Sequence, residues 1–167
     1  MKLATITAVF FAAVPMADEV EAPRPEVAFP VRGPVDWGQA EARFGAYRGG
    51  RTHEGQDVFA RAGTPLVAVR DGRVVETGDD GGRGNYVAIW SRTARRTFVY
   101  LHMRRPSPLR VGASVRAGAR IGAVGCTGSC WGDHLHLELR RGRGTTGTAL
   151  DPLPLLRRLE RRRARDR

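Results

Sequence analysis

The histidines of this 167-residue chain are few, and their positions are informative. The sequence holds four of them, and His134 and His136 lie one residue apart in the run GDHLHLEL. Because alternate side chains of a β-strand point to the same face, both imidazoles should project from one face while Leu135 and Leu137 face the other way. Two imidazoles on one sheet face can bind a metal ion or move protons.

The other two histidines also have distinctive neighbours. His53 begins HEGQD, which places Asp57 four residues later, and His102 lies near the end of the strand-like run FVYLHM. Zinc takes nitrogen and carboxylate-oxygen ligands, and a catalytic zinc site keeps three protein ligands and one open position. HEGQD is not the helical zinc-protease signature, because the second histidine is missing and Gly55 disfavours a helix.

Short β-branched and aromatic runs separated by Gly, Asp and Pro predict an all-β fold of mainly antiparallel strands. The length allows one domain, which we place at residues 29–156. The glycine-rich stretch GDDGGRGNY leads into a strand, so we expect a hairpin loop there and no phosphate cradle. The strand-like runs are TPLVAV, GRVVETG, NYVAIW, RTFVYLHM, ASVR, ARIGAVG and HLHLELR.

Both ends of the chain differ from this central part. Residues 1–17 combine Lys2 with a short apolar stretch and Ala17, which indicates a secretory signal peptide; a buried N-terminal strand or helix is the alternative. Residues 18–28 are charged and contain proline, as expected of a linker. Residues 157–167 carry seven arginines and two acids, and we expect a frayed helix or a disordered tail.

The formal net charge of +11 raises the question of an anionic partner. A nucleic-acid interface is not expected, because only 7% of residues are aromatic and no reading surface of aromatic and basic residues is visible. The arginine-rich tail could adhere to anionic cell-envelope polymers, since charge sets nonspecific attraction. A solvated tail without a partner is the alternative.

Cys126 and Cys130 flank TGS just before the histidine strand. Two cysteines in a chain with an export signal predict a disulfide, which would fix the loop leading into His134 and His136. Zinc ligation by the cysteine pair is the alternative.

Taken in order, several blocks of the chain resemble those of the lysostaphin/LytM-type zinc metallopeptidases, which are bacterial cell-wall endopeptidases. The blocks are HEGQD, GTPLVAVRDGRVVETG, GRGNYVAI, FVYLHM, VGASVRAGARIGAVGCTG and HLHLEL. The resemblance runs from about residue 29 to about residue 154 and implies antiparallel sheets that form a groove, the duplicated hybrid motif type. Asp133 and Leu137 depart from it, standing where the family often has Pro and Phe.

The resemblance implies a role for each residue of the constellation. By position, the zinc ligands fall on His53, Asp57 and His136, and two further active-site histidines fall on His102 and His134. A neutral imidazole can take a proton from water and deliver it to the leaving amine, and the other can support the oxyanion. The sequence does not decide which histidine does which.

Four more residues are candidates for the groove. Tyr47 resembles a family tyrosine that helps to hold the intermediate, with packing at the groove edge as the alternative. Glu138, on the same strand face as the histidine pair, could orient a histidine or simply face solvent. Arg48 and Asn85 are candidate groove residues without an assigned catalytic role.

These features together favour a secreted enzyme of the bacterial cell wall or periplasm. It would carry one Zn²⁺ per chain and hydrolyse peptide bonds in the stem peptides or cross-bridges of peptidoglycan. The alternative is a non-catalytic relative that binds the wall or activates another hydrolase, although such relatives typically lack ligand residues. The stretch VGASVRAGARIGAVG also resembles biotinyl and lipoyl carrier domains, but these need an acceptor lysine and Lys2 is the only lysine.

Overall fold

The computed structural model describes residues 26–166 and consists mostly of antiparallel β-strands, with one short α-helix near its end. The all-β prediction is therefore confirmed. The predicted signal peptide and residues 18–25 of the predicted linker lie outside the described residues. Within residues 26–166 no helix has the length and apolar character needed to span a membrane.

The strands and the helix are short, as expected from the spacing of turn residues. A 3-10 turn at Ala40–Ala42 precedes them. Their bounds are β1 Gln56–Phe59, β2 Pro65–Val67, β3 Gly72–Asp80, β4 Gly84–Ser91, β5 Arg96–Met103, β6 Ser114–Val115, β7 Arg120–Ala123, β8 His134–Arg141, β9 Ala149–Leu150 and α1 Leu153–Arg165.

Seven of the strands form one sheet. Their order is β1-β8-β5-β4-β3-β6, with β9 also paired to β8, while β2 and β7 form a separate two-stranded sheet. All of these pairings are antiparallel. The hairpin expected at GDDGGRGNY joins β3 to β4. Strand β8, which carries the histidine pair, lies between β1 and β5, so both of its edges are hydrogen-bonded.

The two faces of the large sheet have different surroundings. Phe98, Leu135 and Leu137 point into the main hydrophobic core, where both leucines are fully buried. The other face buries a smaller apolar group that includes Val99 and Leu101. The prediction that the leucines of HLHLEL face the core is confirmed. Burial of each stabilises the strand by about 1.5–3 kcal/mol relative to exposure.

Helix α1 crosses the boundary that we predicted after residue 156. Leu156 and Leu159, on one side of the helix, are buried in the main core. The guanidinium of Arg163 lies 4.4 Å from the centre of the Phe29 ring and donates hydrogen bonds to backbone carbonyls of the body. The helical alternative for the tail is confirmed over residues 157–165, whereas fraying and disorder are wrong there, because leucine spacing and the long arginine side chain pack this segment against the domain.

Candidate active site

Three of the predicted residues bring their donor atoms together at the edge of the large sheet. The register of β1 against β8 sets Asp57 directly opposite His136, and His53 lies in the loop before β1. Asp57 Oδ1 is 2.8 Å from His136 Nδ1 and 3.1 Å from His53 Nε2, and the two nitrogens are 2.9 Å apart. All three side chains are buried.

We call the three atoms His53 Nε2, Asp57 Oδ1 and His136 Nδ1 the donor triangle. Hydrogen bonds around the donor triangle determine which atoms are available to a ligand. His53 Nδ1 donates to the carbonyl oxygen of Arg43 at 2.8 Å, and His136 Nε2 donates to Glu138 Oε1 at 3.4 Å. In the neutral rings, His53 Nε2 and His136 Nδ1 therefore keep their lone pairs. Both lone pairs are directed at Asp57 Oδ1.

The charges at the triangle also favour a cation. Burial raises the pKa of Asp57, but the close contacts of its carboxylate with the His136 and His53 rings, which are strongest when a ring is protonated, outweigh burial and hold the pKa far below its usual range. Burial lowers the pKa of His136, but its contacts with Asp57 and Glu138 outweigh it and raise the pKa above its ordinary value. Both shifts arise in large part from one contact, between the Asp57 carboxylate and the His136 imidazole.

The donor set fits a zinc ion. Two imidazole nitrogens and one carboxylate oxygen are within its usual ligands, and three protein ligands leave a fourth position open. Tetrahedral zinc with bonds of about 2.0–2.2 Å separates its ligand atoms by roughly 3.3–3.6 Å. The observed edges of 2.8–3.1 Å are close to this spacing. Three lone pairs so close together repel one another unless a cation or a proton lies between them.

His134 lies beside the triangle, as strand alternation predicts. Its Nε2 is 3.5 Å from Asp57 Oδ1, and its Nδ1 donates to the carbonyl oxygen of Gly132 at 2.8 Å. Burial is the main reason why the pKa of His134 falls below its ordinary value. The ring is therefore neutral near pH 7, with the Nε2 lone pair facing the site.

His102 reaches the same site by a different route. In β5, Tyr100 faces the core and Leu101 pairs with His136 on the other face, so simple alternation would send His102 back into the core. Instead His102 has φ +59°, in the left-handed region, and the pairing of β4 with β5 shifts register here. Its ring centre lies 4.9 Å from that of His134.

In this conformation a hydrogen bond orients the His102 ring, and burial keeps the ring neutral. Its Nδ1 donates to the carbonyl oxygen of Thr127 at 2.9 Å. Burial lowers the pKa of His102 to about 4. A non-glycine residue in the left-handed region costs free energy, of the order of 1–3 kcal/mol, and such residues are concentrated at functional sites.

Outside the triangle, charged side chains hold the ligands in place. Arg48 Nη2 donates to Asp57 Oδ2 at 2.5 Å and also to the carbonyl oxygen of Glu41. This contact occupies the outer oxygen of Asp57 and leaves Oδ1 to the triangle. The sequence made Arg48 a candidate groove residue without an assigned role. Its contact with Asp57 follows from the fold and from no local sequence pattern.

The question left open for Glu138 is answered by its burial. Its Oε1 accepts from His136, and its Oε2 accepts from Arg140 Nε at 2.7 Å; Arg140 also donates to Glu54 Oε2 at 2.7 Å. Glu138 therefore orients His136 and does not face solvent. No sequence pattern indicated Arg140 or Glu54, because their contact joins positions far apart in the chain.

Gly55 allows the His136 ring to lie where it does. A Cβ at Gly55 would be 2.6 Å from His136 Nε2 and 2.6 Å from the carbonyl oxygen of Leu137. Both distances are shorter than van der Waals contact allows. The sequence shows only that Gly55 disfavours a helix, because its close approach to β8 depends on the pairing of strands in the folded protein.

The predicted disulfide between Cys126 and Cys130 is present, with Cα atoms 5.5 Å apart. Both sulfurs are used in the disulfide, so the alternative of zinc ligation by this pair is not supported.

Asn85 contacts Thr127, which lies between the two cysteines: its backbone N–H donates to Thr127 Oγ1 at 2.9 Å, and its side chain donates to the carbonyl oxygen of Met103. Asn85 thus supports the backbone next to the site.

Two cavities flank the triangle and form the predicted groove. One, of about 550 Å³, is lined by His53, His102, His136 and several arginines. The other, of about 940 Å³, is lined by Asp57, His134 and exposed aromatic side chains.

Tyr47 and Trp131 are the aromatic side chains on the outer wall of the larger cavity, 77% and 90% exposed. Within residues 26–166 the Tyr47 hydroxyl has no hydrogen-bond partner. Tyr47 therefore lies at the groove edge, in the same cavity as Asp57 and His134.

Comparison with known proteins gives one consistent picture. The model of peptidase family M23 matches residues 51–152. The glycyl-glycine endopeptidase ALE-1 of Staphylococcus capitis is 35% identical over 109 residues, 65% of this chain and 30% of that protein. The peptidoglycan DD-endopeptidase ShyC of Vibrio cholerae is 34% identical over 114 residues, 65% of this chain and 26% of that protein.

The fold agrees with a solved structure as well. The crystallised catalytic domain of lysostaphin, an antimicrobial peptidase from Staphylococcus simulans, superposes with a TM-score of 0.63 at 33% identity. The match covers 69% of this chain and 89% of that domain. The chain spans less than a third of the length of ALE-1 and ShyC.

Proposed function

The chain belongs to peptidase family M23, and on that premise we propose that it is a zinc-dependent endopeptidase. Its substrate would be a peptide bond in the stem peptides or cross-bridges of peptidoglycan. The observation that carries the proposal is the convergence of His53, Asp57 and His136 beside two further histidines in a groove. The activities printed in the names of ALE-1 and ShyC support the choice of substrate.

In this proposal His53, Asp57 and His136 hold the zinc ion. Zinc would supply Lewis-acid chemistry, since it polarises a carbonyl group and makes water acidic enough to act as a nucleophile near neutral pH. Arg48 and Glu138 keep the donor atoms of Asp57 and His136 turned inward. The neutral state of the two ligand imidazoles is required for binding, because a protonated nitrogen has no lone pair.

His102 and His134 move protons. Their Nδ1 protons are held by backbone carbonyl oxygens, so each ring offers a basic Nε2. One ring takes the proton of the attacking water and later delivers a proton to the leaving amine. An imidazole that has gained a proton at Nε2 also becomes a donor, which can stabilise the developing oxyanion.

The groove would bind the substrate peptide across the triangle, with one cavity on each side of the scissile bond. Tyr47, at the rim beside Asp57 and His134, is a candidate to help hold the intermediate. It would have to turn inward when substrate binds, because Tyr47 is 77% exposed. A Tyr47→Phe variant with unchanged kcat would leave Tyr47 as a packing residue of the groove edge.

We further propose that the protein acts outside the cytoplasmic membrane, with residues 1–17 as its signal peptide. The exposed arginines of α1 would add affinity for anionic cell-envelope polymers; they are Arg158, Arg161, Arg162 and Arg165. Their replacement by glutamine should weaken sedimentation with purified cell walls at low salt. Substitution is a cleaner test than deletion of residues 157–167, because deletion would also remove Leu159 from the core.

The test of the main proposal is digestion of purified peptidoglycan. We expect fragments whose masses identify the cut bond, loss of their release with a chelator, and recovery when zinc is added back. Binding to peptidoglycan without any release, at any metal supply, would favour the non-catalytic alternative.

A further inference from the structure

A loop closed by the disulfide contacts both histidines that are not in the donor triangle. We call residues 125–132 the disulfide loop. It presents two backbone carbonyl oxygens to the site: that of Thr127 accepts from His102 Nδ1 at 2.9 Å, and that of Gly132 accepts from His134 Nδ1 at 2.8 Å. The sequence led us to expect that the disulfide fixes the approach to β8; the loop also reaches His102, on a different strand.

These two contacts select one tautomer in each ring. A carbonyl oxygen can only accept a hydrogen bond, so the proton of the neutral imidazole must be on Nδ1. The opposite nitrogen, Nε2, then has the lone pair that a proton acceptor needs. If either carbonyl oxygen moved away, the proton could pass to Nε2 and the ring would no longer offer a base there.

The position of the Thr127 carbonyl is fixed from several directions. Thr127 Oγ1 accepts from the backbone N–H of Asn85 at 2.9 Å and donates to the carbonyl oxygen of Met103 at 2.8 Å. The backbone of Gly128 lies against that of Gly84, with no room for a Cβ at either position. The disulfide between Cys126 and Cys130 covalently joins the chain on both sides of Thr127.

We propose that the disulfide loop is a positioning element that sets the Nδ1–H tautomers of His102 and His134, so that opening it impairs turnover while the metal site is retained. The donor triangle should be little affected, because the contacts that support it come from Arg43, Arg48 and Glu138, which lie outside the loop. Loss of partners that orient active-site groups typically costs 10–100-fold in activity. We expect a decrease in kcat of about that size. The expected loss of kcat rests on the proposed peptidase function.

Two variants open or loosen the loop in different ways. The double variant Cys126→Ser with Cys130→Ser removes the covalent closure. Thr127→Val keeps the disulfide and removes the hydroxyl that fixes the enclosed residue, and Thr127→Ser, which keeps a hydroxyl, is its matched control. Circular dichroism and thermal unfolding show whether each variant is folded. If the double variant does not fold, the pair Thr127→Val and Thr127→Ser decides.

Three measurements test the proposal: zinc affinity by chelator competition, kcat and KM for peptide release across pH, and long-range ¹H–¹⁵N spectra of the imidazole rings. We expect zinc affinity near that of the parent, a 10–100-fold loss of kcat with KM changed by about threefold or less, and mixed tautomers at His102. Thr127→Ser should behave as the parent. The proposal would be overturned if a folded Thr127→Val variant shows only the Nδ1–H tautomer at His102, or if its zinc affinity falls in parallel with kcat. Because the ring spectra need no substrate, they test the tautomer assignment even if the parent releases no fragments.

Discussion

The substitution Gly55→Ala tests how closely strand β1 must approach His136. The added Cβ would lie 2.6 Å from His136 Nε2 and from the carbonyl oxygen of Leu137, whereas ordinary contact begins at 3.4 Å. Either the imidazole or the backbone before β1 must therefore move by about 0.8 Å. Metal sites tolerate ligand displacements of roughly 0.2 Å, so this movement exceeds the tolerance several-fold.

We expect Gly55→Ala to lower zinc affinity by at least tenfold, which corresponds to about 1.4 kcal/mol. Chelator competition on the purified protein measures the affinity, and fragment release from peptidoglycan should fall at limiting zinc. Gly81→Ala is the matched control, because Gly81 has an ordinary φ and no atom within 4 Å of the added Cβ. Parent-like zinc affinity in Gly55→Ala, with thermal stability unchanged, would refute the close-approach reasoning.

Three further substitutions test the groups around the triangle. Glu138→Ala should lower zinc affinity by about 10–100-fold, measured by chelator competition, because His136 Nε2 loses its acceptor; a parent-like affinity would contradict this. Arg48→Gln should weaken zinc binding and Arg48→Lys should weaken it less, because Asp57 Oδ2 loses a charged donor; equal affinities in both would refute the role. For His102, the pKa of about 4 in the folded protein lies below the unfolded value of about 6.5, so the unfolded state takes up a proton first as pH falls. The contribution of His102 to the free energy of unfolding is therefore fully present above about pH 6.5. Up to about 3 kcal/mol of that free energy is lost as pH falls to about 4. Denaturant unfolding of the metal-free protein should therefore show a smaller loss between about pH 7 and pH 4.5 in His102→Gln than in the parent; equal losses would count against the burial argument.

The histidine pair of β8 illustrates what the sequence can predict. Strand alternation alone places His134 and His136 on one face and the two leucines in the core, and the structure confirms it. The same rule fails at His102, because Tyr100 and Leu101 alternate correctly and only a left-handed φ turns the next side chain into the groove. That conformation follows from register and packing, which a local pattern does not contain.

Long-range contacts account for the other differences. Leu159 has helical spacing from Leu156, but the arginines on either side of it suggested a solvated tail, and only packing against the body shows that residues 157–165 are part of the domain. Likewise the ion pair between Arg140 and Glu54 joins positions 86 apart in the chain. Such pairs form because the folded sheet brings them together, and neither residue type nor spacing indicates the partner.

The proposed mechanism assigns zinc binding to His136 and a role in turnover to His134, and this division of roles can be measured. It is tested most directly by measuring bound zinc and fragment release from peptidoglycan for the parent, His136→Ala and His134→Ala. We expect one zinc ion per chain and release by the parent, loss of both in His136→Ala, and retained zinc with release reduced by about 10²–10⁴-fold in His134→Ala. Equal release by the parent and His136→Ala, or a parent that binds no zinc, would contradict it.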